Sequence, residues 1–243
     1  MDLDATVVGD LVARDRRTDD PLVRFGDGTA DFYTAHKFCT DAWKTANLFR
    51  YNGVGSGRTV GIADDRVPPA LLSFFGTALL GATVRFDPPT ETDVRLLVAD
   101  AAAVADWTLP PGSKRVAYDG PPEDPSVAHF ERDVWSENPT MPPDEPDADD
   151  PVLVTADDRY THADLVAATA RVVDDLALTA DDAVAVRAPL ADPGTVIAGV
   201  LAPVAVGAEV HLPGVSEPGT VAVTTEDAPE PRSVTPTEAR DDR

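Results

Sequence analysis

A layered α/β fold, with β-α-β sheets carrying helices on their faces and two similar lobes, is what this 243-residue sequence predicts. Three observations lead there. Short runs of β-branched residues alternate with Ala-rich helical runs, an order that gives parallel strand pairing with helices on the sheet faces. Hydrophobic residues make up 43% of the chain but aromatics only 6%, so Val, Ala and Leu must fill the core, which suits small-residue helices packed on strands. The element order of the first part also returns after a stretch rich in proline and aspartate.

The elements follow in order. Thr6 to Arg16 places Val7, Val8, Leu11 and Val12 at helical spacing. Pro21-Leu-Val-Arg-Phe25 reads as a strand, and Gly26-Asp-Gly28 as the turn into a partner ending near Tyr33. A helix follows from Thr34, with Ala35, Phe38, Ala42, Ala46 and Phe49 on one face and a stop at Asn52-Gly53. Thr59–Ala63 is a strand, Pro69–Leu80 a helix stopped by Gly81, and Ala82–Phe86 a strand. Val94–Ala99 and Arg115–Tyr118 read as strands around a short Ala-rich helix, and Ser126–Ser136 as helical.

The repeat begins at Pro151-Val-Leu-Val-Thr155, a strand, with a helix opening at Tyr160-Thr-His-Ala-Asp164 and running to Leu176. Ala183–Val186 is a strand, Thr195–Val206 a helix stopped by Gly207, and Glu209–Leu212 a strand closed by Pro213. Tyr33-Thr34, Val60, Gly81 and Pro88 thus have counterparts in Tyr160-Thr161, Val184, Gly207 and Pro213. The expected organisation is a first lobe over 1–137, a Pro/Asp-rich linker over 138–150, a second, related lobe over 151–213, and an acidic, mobile tail over 214–243. Within the tail, Thr220–Thr224 reads as one strand and Thr235-Pro-Thr-Glu238 as a cap for one helical turn.

Charge narrows the setting. There are 43 acidic and 20 basic residues, a net charge of −23, and only Lys37, Lys44 and Lys114 are lysines. Asp pairs recur along the chain, from Asp19–Asp20 and Asp64–Asp65 to Asp241–Asp242. Such like charge pushes a fold apart in dilute buffer, whereas at molar salt the screening length falls to about 3 Å. An acidic, lysine-poor surface on a globular sequence therefore reads as adaptation to a high-salt cytosol, and it disfavours nucleic acid and anionic membranes as partners. Met1-Asp-Leu-Asp has neither the basic nor the apolar region of a signal peptide. The longest uncharged stretches, Val67–Val84 and Pro193–Ala208, are broken by Pro69 and Pro203. A cytoplasmic protein is expected.

Few residues suggest chemistry. Cys39 is the only cysteine, which excludes an internal disulfide and a thiolate metal cluster, and it lies by the apolar stripe of its helix as a packing residue would. His36, His129, His162 and His211 are scattered without metal-ligand spacing, so no metal site is expected. His162 with Asp164 suggests nucleophile activation only weakly, against a plain helix-start Thr-His. Gly53-Val-Gly-Ser-Gly57 follows a helix and precedes a strand, the reverse of a dinucleotide fingerprint, and is a turn.

Tyr33-Thr34 with its helix, Gly53-Val-Gly-Ser-Gly57, Val60-Gly-Ile-Ala and Leu79-Leu-Gly-Ala82 resemble, in that order, the first lobe of the adenylate-forming superfamily, of the acyl-CoA synthetase kind. Trp135-Ser-Glu-Asn-Pro139 and Asp149-Asp-Pro151 resemble the approach to that family's ATP loop. Thr161-His162, Leu178 to Asp182, Ala188-Pro-Leu190, Leu201-Ala-Pro203 and Gly207-Ala208 resemble the segment beyond it. The resemblance implies the fold of the family's N-terminal domain, and ATP/AMP and Mg²⁺ as cofactors.

The departures bear on function. Where the family has a Ser/Thr/Gly-rich loop with a lysine, T-S-G-T-T-G-x-P-K-G, this chain has Thr155-Ala-Asp-Asp-Arg159-Tyr160-Thr161-His162. The family loop holds a triphosphate on backbone N–H groups and a lysine. The remnant here (Thr155, Asp157, Asp158, Arg159, Thr161, His162) has no glycine or lysine and two carboxylates. At about 5 Å and an effective dielectric near 20, each carboxylate repels a phosphate charge by about 3 kcal/mol. The family's Y-G-x-T-E and T-G-D segments have no counterpart, Ala191-Asp192 stand where Phe-His often follows, and a small C-terminal domain with its catalytic lysine is not expected. No catalytic residue is assigned. The expectation is a truncated, non-catalytic binding or regulatory relic; the alternative is a ligase subunit completed by a partner chain, or a homo-oligomer.

Overall fold

The computed structural model describes residues 3–240; the pair Asp241–Asp242 lies outside the described residues. The first strands, β1 (Pro21–Arg24) and β2 (Phe32–Thr34), form a hairpin that runs directly into helix α1 (Ala35–Tyr51). Ala35, Phe38, Ala42, Ala46 and Phe49 are all buried, as their spacing requires. Next come β3 (Thr59–Ile62), α2 (Pro68–Ala78), β4 (Thr83–Phe86), β5 (Leu96–Asp100), β6 (Lys114–Tyr118), β7 (Ala128–His129) and α3 (Phe130–Ser136). A second hairpin, β8 (Pro151–Val154) with β9 (Arg159–Thr161), runs into α4 (His162–Leu176). After β10 (Ala183–Val186), a single helical run is made of α5 (Pro193–Val196), a π segment (Ile197–Leu201) and α6 (Ala202–Val206). The chain continues through β11 (Glu209–His211), β12 (Val221–Val223), β13 (Arg232–Val234) and α7 (Pro236–Arg240).

These elements form two compact units. Among the described residues, one holds 3–39, 66–68 and 162–240, and the other holds 40–65 and 69–161. Each is built on one sheet. In the first the strand order is β13-β12-β10-β11-β1-β2, parallel throughout except for β2. In the second it is β7-β6-β5-β3-β4-β8-β9, parallel except for β9.

The two hairpins share a register. Pro21 faces Thr34 and Val23 faces Tyr33, with an irregularity between them; Pro151 faces Thr161 and Leu153 faces Tyr160 in the same way. Each proline is the first residue of its strand, beside the irregularity, where a residue that donates nothing to the ladder is tolerated. Each hairpin joins the sheet made chiefly by the other half of the chain. β1 pairs with β11, and β8 pairs with β4. The units therefore do not follow the chain in order.

Several local expectations change. The Ala-rich stretch after β5 is only a 3-10 turn, Val104–Asp106. The helix expected over Ser126–Ser136 starts at Phe130, because Ala128 and His129 are taken up by pairing with β6. Thr6 to Arg16 forms two 3-10 turns rather than one helix, with the Asp10 carboxylate accepting from the amides of Thr6 (2.8 Å) and Val7 (3.0 Å). The tail expected to be mobile supplies β12, β13 and α7 instead. Arg232 explains part of this: its guanidinium donates to the Leu176 carbonyl at 2.7 Å and pairs with Asp182. Thr235 and Glu238 form the expected capping box at α7, with Thr235 N–H donating to the Glu238 carboxylate at 3.0 Å and Glu238 N–H to Thr235 Oγ1 at 3.2 Å.

Candidate functional site

The stretch that the resemblance sets against an ATP loop, Thr155 to Thr161, forms the turn between β8 and β9 and the strand β9 itself. Thr155 organises the turn. Its hydroxyl oxygen accepts from the Asp157 N–H (3.2 Å) and the Asp158 N–H (2.9 Å), and its own N–H donates to the Asp158 carbonyl at 2.9 Å. A short hydroxyl side chain at the start of a turn is suited to this role. Three of the turn's amides are thereby spent inside it, whereas an anion cradle needs several amides pointing outward together. Asp157, Asp158 and Arg159 are exposed, so the outward surface carries two carboxylates and one guanidinium.

Thr161 ends β9 and His162 begins α4. His162 is fully buried, and its Nδ1 accepts from the Val8 N–H at 3.1 Å. That bond assigns the proton of the neutral ring to Nε2. The histidine thus fastens the N-terminal 3-10 turn to α4. The structure keeps Thr155, Asp157, Asp158 and Arg159 together at the turn tip and gives His162 a structural partner 154 residues away.

The other segments behind the resemblance also have local roles. The amides of Arg187 and Ala188 both donate to the Val223 carbonyl, at 3.0 and 2.9 Å. Asp192 is the N-cap of α5, its carboxylate accepting from Gly194 N–H at 3.0 Å. Gly53-Val-Gly-Ser-Gly57 is a turn as expected, with Gly53 and Gly57 at φ of 82° and 74°. Cys39 is buried, and burial pushes its thiol up to about 12, which removes thiolate reactivity. Among the described residues, no group of three or more His, Cys, Asp or Glu side chains could hold a metal ion. Among the same residues, no helix is long and apolar enough to cross a membrane.

No protein-family model and no curated protein matches the chain. Solved structures do. The anthranilate CoA ligase AuaEII in complex with anthranoyl-AMP superposes with a TM-score of 0.74 at 16% identity, over 92% of this chain and 50% of that one. The fold is that of the N-terminal domain of adenylate-forming enzymes. Apo MatB from Rhodopseudomonas palustris matches with a TM-score of 0.70 at 12% identity, over 90% of this chain and 49% of its own. The nonribosomal peptide synthetase FmoA3 in its AMPPNP-bound form gives 0.69 at 16%, over 90% of this chain and 23% of that one. The chain thus spans half or less of these adenylate-forming enzymes.

Sequence reasoning passed over one polar cluster. On β11, Glu209 and His211 point to the same sheet face, and His211 Nε2 lies 3.1 Å from Glu209 Oε2. Arg24 Nε donates to the same carboxylate at 3.0 Å. Burial works against the Glu209 charge, but the bonds from Arg24 and His211 outweigh it and hold the carboxyl below its usual range. The signal was available as Glu-x-His within a strand, since residues two apart share a face.

Proposed function

We propose that this chain is an acyl-CoA synthetase-like protein without a working ATP loop, serving as a binding or regulatory protein in a high-salt cytosol. One observation carries the reading. The turn that stands in place of the phosphate loop uses its Thr155, Asp157 and Asp158 amides internally and presents two carboxylates outward. A triphosphate brought to it would find no converging free amides; the two carboxylates would repel it by about 3 kcal/mol each in dilute buffer, a repulsion that molar salt largely screens, so the lost amide cradle decides. The residues present do not fit ATP, and no adenylation step is derived for the chain alone.

Calorimetric titration of ATP–Mg²⁺ into the folded protein, in about 2 M KCl to screen its charge, tests this. No heat of binding is expected at sub-millimolar affinity, and saturable binding in that range overturns the reading. A second reading keeps the fold's ligase role: a subunit whose site is completed by a partner chain. Affinity capture in the same salt, followed by mass determination of the eluted complex, separates the two. A co-eluting chain that restores nucleotide binding supports the subunit; a lone monomer supports the binding protein.

A further inference from the structure

Among the described residues only three large hydrophobic side chains are exposed: Tyr51 (87%), Trp135 (80%) and Met141 (40%). A single exposed hydrophobic residue calls for no explanation, whereas a group of them marks a contact face. These three form one group, and helix α1 organises it.

Lys44, Asn47 and Tyr51 follow each other in α1 at gaps of three and four residues, so they line one stripe of its surface. The stretch leading from α3 into the proline-rich segment runs along that stripe in the same direction. Lys44 Nζ donates to the Trp135 carbonyl at 3.1 Å and lies 5.4 Å from the centre of the Trp135 ring. One turn on, Asn47 Nδ2 donates to the carbonyls of Asn138 (3.0 Å) and Thr140 (2.8 Å), and Met141 follows directly. Next to Tyr51, Arg50 Nε pairs with Asp144 at 3.2 Å. The order along the helix is therefore Trp135, Met141, Tyr51, over a rise of about 10 Å. All of these residues belong to the second unit.

The stripe can lose water without leaving its polar centre unpartnered, because Lys44 and Asn47 already donate to backbone carbonyls. At about 150–250 Å² for each aromatic side chain, the three exposed residues offer about 400 Å² of apolar surface. One side of an ordinary protein interface buries about 800 Å², of which roughly 60% is apolar. The patch supplies most of that share. Trp, Tyr and Met are also residue types that interfaces favour.

The pattern matches itself. An aromatic ring stands at each end with a charge of each sign beside it, Lys44 and Glu137 at the Trp135 end, Arg50 and Asp144 at the Tyr51 end. A two-fold axis crossing α1 at right angles near Asn47 reverses the stripe and uses every contact twice. We propose that this face is the interface of a homodimer. Trp135 of each copy lies beside Tyr51 of the partner subunit, Lys44 comes to the partner's Asp144, and Glu137 comes to the partner's Arg50. The charge of −23 on each copy is no obstacle, since molar salt screens charges beyond about 3 Å and apolar burial is not a charge effect. None of these residues lies in Thr155–Thr161, so the pairing stands whether or not that turn binds nucleotide.

Sedimentation equilibrium of the full chain in about 2 M KCl, from about 1 to about 200 μM, tests this. A reversible monomer–dimer equilibrium is expected with no larger species, and the emission of Trp135 should move to the blue as the dimer forms. Trp135→Ala and Tyr51→Ala are each expected to weaken dimerisation by at least about tenfold. Both side chains are exposed, so unchanged circular dichroism is expected to show that each variant folds. A monomer across the whole range, a dimer that both substitutions leave unchanged, or open-ended oligomers would each overturn the proposal. A chain that stays monomeric alone, while Trp135 becomes protected on adding cell extract, would also overturn it and assign the face to a different protein.

Discussion

Arg187 and Glu230 form a bidentate pair whose two ends sit in different surroundings. The Glu230 side chain is fully buried, while 40% of the Arg187 side chain is exposed. Removing one partner leaves the other behind, and the cost depends on where the survivor sits. Arg187→Ala strands a buried carboxylate and should cost about 3 kcal/mol, the low end for a broken buried pair, since protonation of Glu230 caps the loss. Glu230→Gln leaves a guanidinium that water can reach and an amide that still accepts one bond, for about 1 kcal/mol. For a chain of this size these values correspond to falls in Tm of about 6–12 °C and about 2–4 °C.

The pair also sets a pH dependence. Burial opposes the Glu230 charge, but the bonds from Arg187 and nearby amides hold its carboxyl below the usual range. A lowered folded-state value means that the stabilisation is complete above the unfolded value of about 4.3 and is lost as the pH falls through the folded one. Thermal melts of both variants and the parent in about 2 M KCl, at neutral pH and across the acid range, check this. An equal or larger loss in Glu230→Gln, or a wild-type Tm that does not fall in acid, refutes the reasoning.

Two further outcomes follow from packing and charge. At Gly194 in α5 an added Cβ would lie 1.8 Å from the Pro236 carbonyl oxygen, a backbone atom at the start of α7. Gly194→Ala should therefore cost about 3 kcal/mol by chemical denaturation, while Gly55→Ala, with nothing within 4 Å, should stay within about 0.5 kcal/mol. Dialysis from about 2 M to about 0.05 M KCl lengthens the screening length from about 3 Å or less to beyond 10 Å, and the net charge of −23 should then abolish far-UV circular dichroism; retained structure at the low salt contradicts salt adaptation.

Most of the scaffold was legible because it rests on short-range rules. The buried stripe of α1, the positive-φ stops at Gly81 and Gly207, and the strand at Val184 all follow from local pattern. The misses have a common cause. β9 and β13 are three-residue edge strands with little buried surface, so only their partners, β8 and β12, define them. The π segment inside the run from α5 to α6 sits just before Pro203, which has no N–H to give the Gly199 carbonyl four residues back. At the candidate site the missing glycines and the added carboxylates could be read directly. That Thr155 would consume the neighbouring amides, and that His162 would be claimed by Val8, depends on geometry that no spacing encodes.

The exchange of hairpins between the sheets governs the order in which the protein can be made. Emerging from the ribosome, β1 and β2 have no sheet to join until β11 follows, and Arg24 waits for Glu209, 185 positions later. Such long waits raise the contact order and slow folding. Cleavage within 138–150 would not release two independent modules. It would leave each fragment with a hairpin whose sheet belongs to the other, so the pieces should regain structure only when mixed.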